Sequence, residues 1–185
     1  MAEFIAFTYK TFLSFQFSKR WMVAISYGVL CHVLFTISVL AMLVSMFFGM
    51  SQSFGKVPHP YSHFANLLLI IQFPLAHSFL LSSMGKKYLL YFSPKNYSLS
   101  LAPTVFVVLA SIQLFLLFFF WTPTKIIIWQ ASGTSFFLMC SLYSFSWLLL
   151  IWATVDAGVE LQSGALGWMS LAQNKAPKFP DLPTF

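Results

Sequence analysis

The sequence predicts an all-α integral membrane protein: four transmembrane helices, a short N-terminal interfacial helix, and both termini in the cytoplasm. Three observations carry this. Of 185 residues, 59% are apolar and only 8% charged, where a soluble chain carries about 25% charged residues. Four uncharged runs reach the roughly 20 residues that a helix needs to cross the hydrocarbon core. Most Lys and Arg residues fall on one side of those runs. Disorder is excluded because it requires low hydrophobicity. A β-barrel is excluded because the runs are continuous, not alternating.

Residues 1–20 mix Lys10, Lys19 and Arg20 with many Phe residues, the pattern of a helix lying on the bilayer surface. A signal peptide is rejected. The apolar run that follows is too long for an h-region, and no A-x-A site follows it. The four spans are 21–50, 64–83, 101–121 and 134–155. Together, 21–158 form the transmembrane domain, and 159–185 a cytoplasmic connecting segment with a Pro-rich tail holding Pro177, Pro180 and Pro183.

The loops set the orientation. Lys10, Lys19, Arg20, Lys86, Lys87, Lys95, Lys175 and Lys178 fall on one side, Lys56 and Lys125 on the other. The formal charge of +6 is therefore a topology signal that puts both termini inside, not a nucleic-acid footprint. The outer loops are 51–63, with His59 and His63, and 122–133, flanked by the interface anchors Trp121 and Trp129.

Polar side chains in hydrocarbon are costly and mark functional sites by default. These are His32 in span one, Asn66, Gln72 and His77 in span two, and Gln113 in span three. At about 1.5 Å per residue, His32, Gln72 and Gln113 lie about 16–18 Å from the inner ends of their spans, and His77 about 11 Å. One polar cavity opening toward the cytoplasm would account for that layer, as would hydrogen bonding between helices. Pro74 removes an N–H between Gln72 and His77 and should kink span two. Asp156 and Glu160, four apart, should share a helical face at the inner end of span four. There they could take a substrate amine or a cation, or simply be solvated. Cys31 and Cys140 read as buried apolar residues, and no Cys/His spacing suggests a metal. No phosphate loop, GxSxG, HExxH or GxGxxG is present.

Four stretches carry a resemblance: NLLLIIQFPLAHS at 66–78, SLAPTVFVVLASIQL at 100–114, FFFWTPTKIIIW at 118–129 and LQSGALGW at 161–168. In this order they resemble a group of small membrane proteins. The group comprises isoprenylcysteine carboxyl methyltransferase-like proteins, methanethiol S-methyltransferases and NnrU-like proteins of bacteria. The likeness is nearest the bacterial isoprenylcysteine carboxyl methyltransferase-like members and runs over about 21–185. It implies methyl transfer from S-adenosylmethionine to a lipophilic thiol or carboxylate in a bacterial inner membrane. In such families an Arg-(His or Gln)-Pro-x-Tyr motif and two further helices bind the donor. That motif is absent here, so no donor-binding residue carries over, and the chain is expected to be the N-terminal part of a longer enzyme, inactive alone. Only His77-Ser78 matches a recurring family position.

On this reading His32, Gln72, His77 and Gln113 line the acceptor side, with Asp156 and Glu160 at its cytoplasmic mouth. The partners are the bilayer and a lipophilic small molecule, with no nucleic acid and no metal. Two alternatives stay open. One is a non-catalytic, NnrU-like scaffold in which the polar residues join helices. The other is a redox subunit with haem between His32 and His77.

Overall fold

The structure is a computed structural model describing residues 19–127 and 129–179. The expected interfacial helix at 1–20 falls almost wholly outside the described residues, as do Pro180 and Pro183.

Every described element is helical. The helices are α1 (Lys19–Phe47), α2 (Tyr61–Leu81), α3 (Ser83–Tyr91), α4 (Ser98–Phe119), α5 (Gly133–Asp156), α6 (Val159–Gln162) and α7 (Ala165–Ala172), with a single 3-10 turn at Lys95–Tyr97. Four of these, α1, α2, α4 and α5, are long and apolar enough to cross a membrane. They overlap the four expected spans, shifted by up to three residues at either end. The chain is thus a helical membrane protein, and most large apolar side chains face outward, as they do where lipid is the solvent.

Specific bonds fix the up-down-up order of α1, α2 and α4. Cys31 approaches the carbonyl of Thr104, and the Ser45 hydroxyl donates to the carbonyl of Phe118, so α1 and α4 run parallel. Asn66 meets Thr122, Gln72 meets Gln113, and His77 meets Phe106, so α2 runs antiparallel to α4. The Tyr143 hydroxyl donates to the carbonyl of Leu43 at 2.7 Å, which ties α5 to α1. No residue of α5 is buried. The helix leans on α1 through that bond and the Phe47–Tyr143 ring contact.

Two small clusters form the core. Ala24, Leu101 and Leu171 join α1, α4 and α7. Leu80, Leu89 and Val105 join α2, α3 and α4. Chain breaks start the short helices α3 and α6. Ser82 is extended and caps α3 by accepting from the Gly85 N–H at 3.1 Å, while Gly85 packs so tightly on the Phe79 carbonyl that no side chain fits. Gly158, at φ +90°, ends the run of α5 and starts α6 in a new direction. The α2 helix continues through Pro74.

Candidate functional site

The first polar centre is the seat of α7. Gly164, at φ +74°, stands over Cys31 and Val107, and an added Cβ would sit 2.8 Å from the Cys31 Sγ. Thr104, fully buried, ties the turn: its hydroxyl donates to the Gly164 carbonyl at 2.7 Å and accepts from the Trp168 N–H at 2.9 Å. Gly167 lies against the Ser100 carbonyl and the Thr104 hydroxyl, and the Trp168 ring covers Gly28. The indole N–H of Trp168 donates to the His32 Nε2 at 3.3 Å. Thus 163–172 forms a wedge between α1 and α4, a packing role that the sequence reading of 159–185 as a connecting segment does not anticipate. Small residues spaced so that backbones can touch, as in Gly164-x-x-Gly167, are the available signal.

The second centre is a groove of about 740 Å³. The α2, α3 and α4 helices form most of its wall, and Phe35, Leu161, Gln162 and Phe179 complete it. Its lining is apolar except at His77, Lys86, Ser111 and Gln162. The His77 ring lies between Phe73 and Phe106, with centroids 5.7 and 4.9 Å away, and its Nδ1 is buried without a hydrogen-bond partner. Lys86 meets no carboxylate: the only acids among the described residues, Asp156 and Glu160, lie outside the groove wall.

The expected mid-membrane layer is divided between these places. The Gln72 Nε2 donates to the Gln113 backbone carbonyl at 3.0 Å, a strut between α2 and α4, while the Gln113 Oε1 is buried without a partner. His32 belongs to the α7 seat. Only His77, of these four, lines the groove. Asn66 works at the far end. It is buried, donates to the Thr122 carbonyl at 2.8 Å and accepts from the Thr122 N–H at 2.9 Å. That clamp holds the strand-like approach in which the Phe54 and Gly55 N–H groups donate to the Phe119 and Trp121 carbonyls.

Asp156 and Glu160 do not share a helical face. Asp156 is the last residue of α5, Glu160 lies in α6, and the positive φ of Gly158 separates them. Both are exposed. The haem geometry is also disfavoured, since the His32 Nε2 already accepts from Trp168 and His77 packs on a different helix pair. Cys31 and Cys140 are unbridged, and no group of metal-ligating side chains occurs among the described residues.

The groove wall does not fit S-adenosylmethionine. The donor carries a ribose diol and an amino-acid end, which call for carboxylate and paired polar groups. The groove offers one amine, one amide, one hydroxyl and one imidazole, and no carboxylate.

Over 89 residues, 48% of this chain, the sequence is 32% identical to methanethiol S-methyltransferase 2 of Bradyrhizobium diazoefficiens, and the match covers 33% of that protein. The matched stretch therefore spans about a third of the relative's length. No family model matches, and no solved structure matches.

Proposed function

We propose that this chain forms the acceptor-side membrane part of a methyltransferase-like protein, with the donor held by residues other than the groove wall. The carrying observation is the groove with His77 in its wall, joined to the partial likeness to a methanethiol S-methyltransferase. In this reading a lipophilic thiol or carboxylate lies along the apolar wall. His77 is placed to take the proton that a thiol releases as it becomes a nucleophile. The groove's contribution is otherwise positional, which suits methyl transfer, a reaction governed by alignment of nucleophile and methyl carbon.

The end bearing Lys19, Arg20, Lys86, Lys87 and Lys95 is proposed to face the cytoplasm of a bacterial inner membrane. The direction of α7, from Gly164 at Cys31 to Leu171 at Ala24, supports placing Lys175 and Lys178 at that end too.

The protein, purified from its own membrane with all its chain, should bind S-adenosylmethionine saturably in nanodiscs and methylate a long-chain thiol. Absence of both binding and transfer refutes the proposal. A second reading, a non-catalytic scaffold, is favoured by one set of observations: Asn66, Gln72 and His32 are all used in bonds between elements. Under it, His77→Ala would leave every activity of the host membrane unchanged.

A further inference from the structure

We infer that the groove seats an anionic phospholipid from the leaflet at the lysine-rich end, with its phosphate on Lys86 and one acyl chain along α4. The inference rests on the membrane setting of the helices and not on methyl transfer, and a methyl acceptor would enter the same groove by displacing this lipid.

Length supports the assignment. The wall on α4 runs from Leu99 to Leu114, which at 1.5 Å per residue is about 22 Å. One leaflet accounts for about half of the roughly 30 Å hydrocarbon core. The groove is therefore deep enough for a full acyl chain, with room at the mouth for the start of a headgroup. Its chemistry suits a lipid: the wall is apolar along Phe106, Ala110 and Leu114, His77 and Ser111 are its polar points on α2 and α4, and Lys86 on α3 is its one cation.

Access is lateral. Leu81 and Leu99, both on the rim, are 57% and 77% exposed, so the groove opens onto the space that lipid fills. A second chain can stay in the bilayer beside them.

Charge supplies the selectivity. Lys86 is one of several cations at this end, with Lys87, Lys95, Lys19 and Arg20. Among the described residues no ion pair neutralises it, and the two acids are not groove residues. An amine at the mouth of an apolar slot attracts a phosphate more than a zwitterionic head, whose own cation offsets the attraction. Lys86 sits on α3, which Leu89 and Gly85 bury against its neighbours, so the amine has a fixed base. The exposed rings of Tyr88, Tyr91 and Phe92 on and after the same helix suit a headgroup depth.

The test is native mass spectrometry of the full protein released from nanodiscs of phosphatidylglycerol and phosphatidylcholine in equal amounts. The wild type should retain one phosphatidylglycerol in at least tenfold excess over phosphatidylcholine. Lys86→Gln, an exposed position, should reduce that ratio to near one, and Lys87→Gln should leave it intact. Ala110→Phe, which fills the deep part, should remove the retained lipid altogether, with circular dichroism confirming an intact helical fold. Four results overturn the inference: the bulk lipid ratio on the wild type, an unchanged preference in Lys86→Gln, an equal loss in Lys87→Gln, or a retained free long-chain acid in place of phospholipid. No donor or methyl transfer enters the measurement, so its failure is distinct from failure of the methyltransferase reading.

Discussion

Replacing Thr104 by Val should release the α7 wedge while keeping the volume of the side chain. The hydroxyl makes two bonds in a fully buried position, to the Gly164 carbonyl and from the Trp168 N–H. Removing it leaves a donor and an acceptor facing a methyl group. Each orphaned buried group costs about 1–3 kcal/mol, so undocking becomes easier by about 2–6 kcal/mol. The readout lies underneath. Cys31 is 0% exposed, with its Sγ 3.5 Å from the Ser163 carbonyl and beneath Gly164. A maleimide can reach it only after the wedge lifts. With Cys140 replaced by Ser, the labelling rate of Cys31 reports the open population, provided that reclosing outpaces the reaction. Since about 1.4 kcal/mol is tenfold, even the lower bound predicts roughly 30-fold faster labelling in Thr104→Val. Thr104→Ser keeps both bonds and should label close to the wild-type rate. Wild-type labelling in Thr104→Val would refute the reasoning, as would equal acceleration in both variants.

Gly167→Ala should lower the melting temperature, because its Cβ would lie 2.5 Å from the Thr104 hydroxyl and 2.8 Å from the Ser100 carbonyl, an overpacking worth about 1–3 kcal/mol; an unchanged melting curve would show that the wedge has room. Asn66→Ala should speed hydrogen exchange at the Thr122 amide by at least tenfold, whereas Asn66→Asp, which keeps an acceptor for that N–H, should protect it; mass spectrometry of the 119–123 peptide decides. Gln72→Leu should destabilise by about 0.6–2 kcal/mol, read by detergent-resistant melting, because it breaks the strut to the Gln113 carbonyl. An unaltered melt would mean that the strut carries no net stability.

The spans are legible because length and apolarity alone decide whether a helix can cross a membrane, and Tyr61–Leu81 or Gly133–Asp156 needs no tertiary information to be read. Depth is legible too, and it brings Gln72 and Gln113 to the same level, where they meet. Facing is not. A helix rise gives height, whereas the direction of a side chain around the axis depends on packing. In water a helix shows its buried side by having apolar residues there and polar ones opposite. In lipid that contrast is lost, because the side facing a neighbour and the side facing the bilayer are both apolar. So His32 and His77, about 5 Å apart in depth, meet different neighbours. Asp156 and Glu160 fail for a local reason: the i,i+4 rule assumes a continuous helix, and Gly158 interrupts it. Lys86 is legible as a charge but not as a groove residue, since that role arises only when α3 folds back against α2 and α4.

The distribution of unsatisfied polar atoms bears on whether the polar residues act as glue or as a site. A polar group placed in hydrocarbon for cohesion is useful only when its bond is made, because an unmade bond there costs more than it does in water. Asn66 makes two such bonds, Gln72 makes one and His32 accepts one. These three fit cohesion. The Gln113 Oε1 and His77 Nδ1 are buried and unpartnered, and cohesion does not explain them. Of the two, only His77 lines the groove. A ligand lying there would contact an imidazole that no neighbouring side chain has already satisfied. Comparing His77→Leu with Gln72→Leu in one assay therefore separates the two roles. Loss of turnover or ligand binding at unchanged melting temperature in the first, with loss of melting temperature alone in the second, assigns site to His77 and strut to Gln72. Equal destabilisation by both would make His77 a packing residue and remove the groove's claim to chemistry.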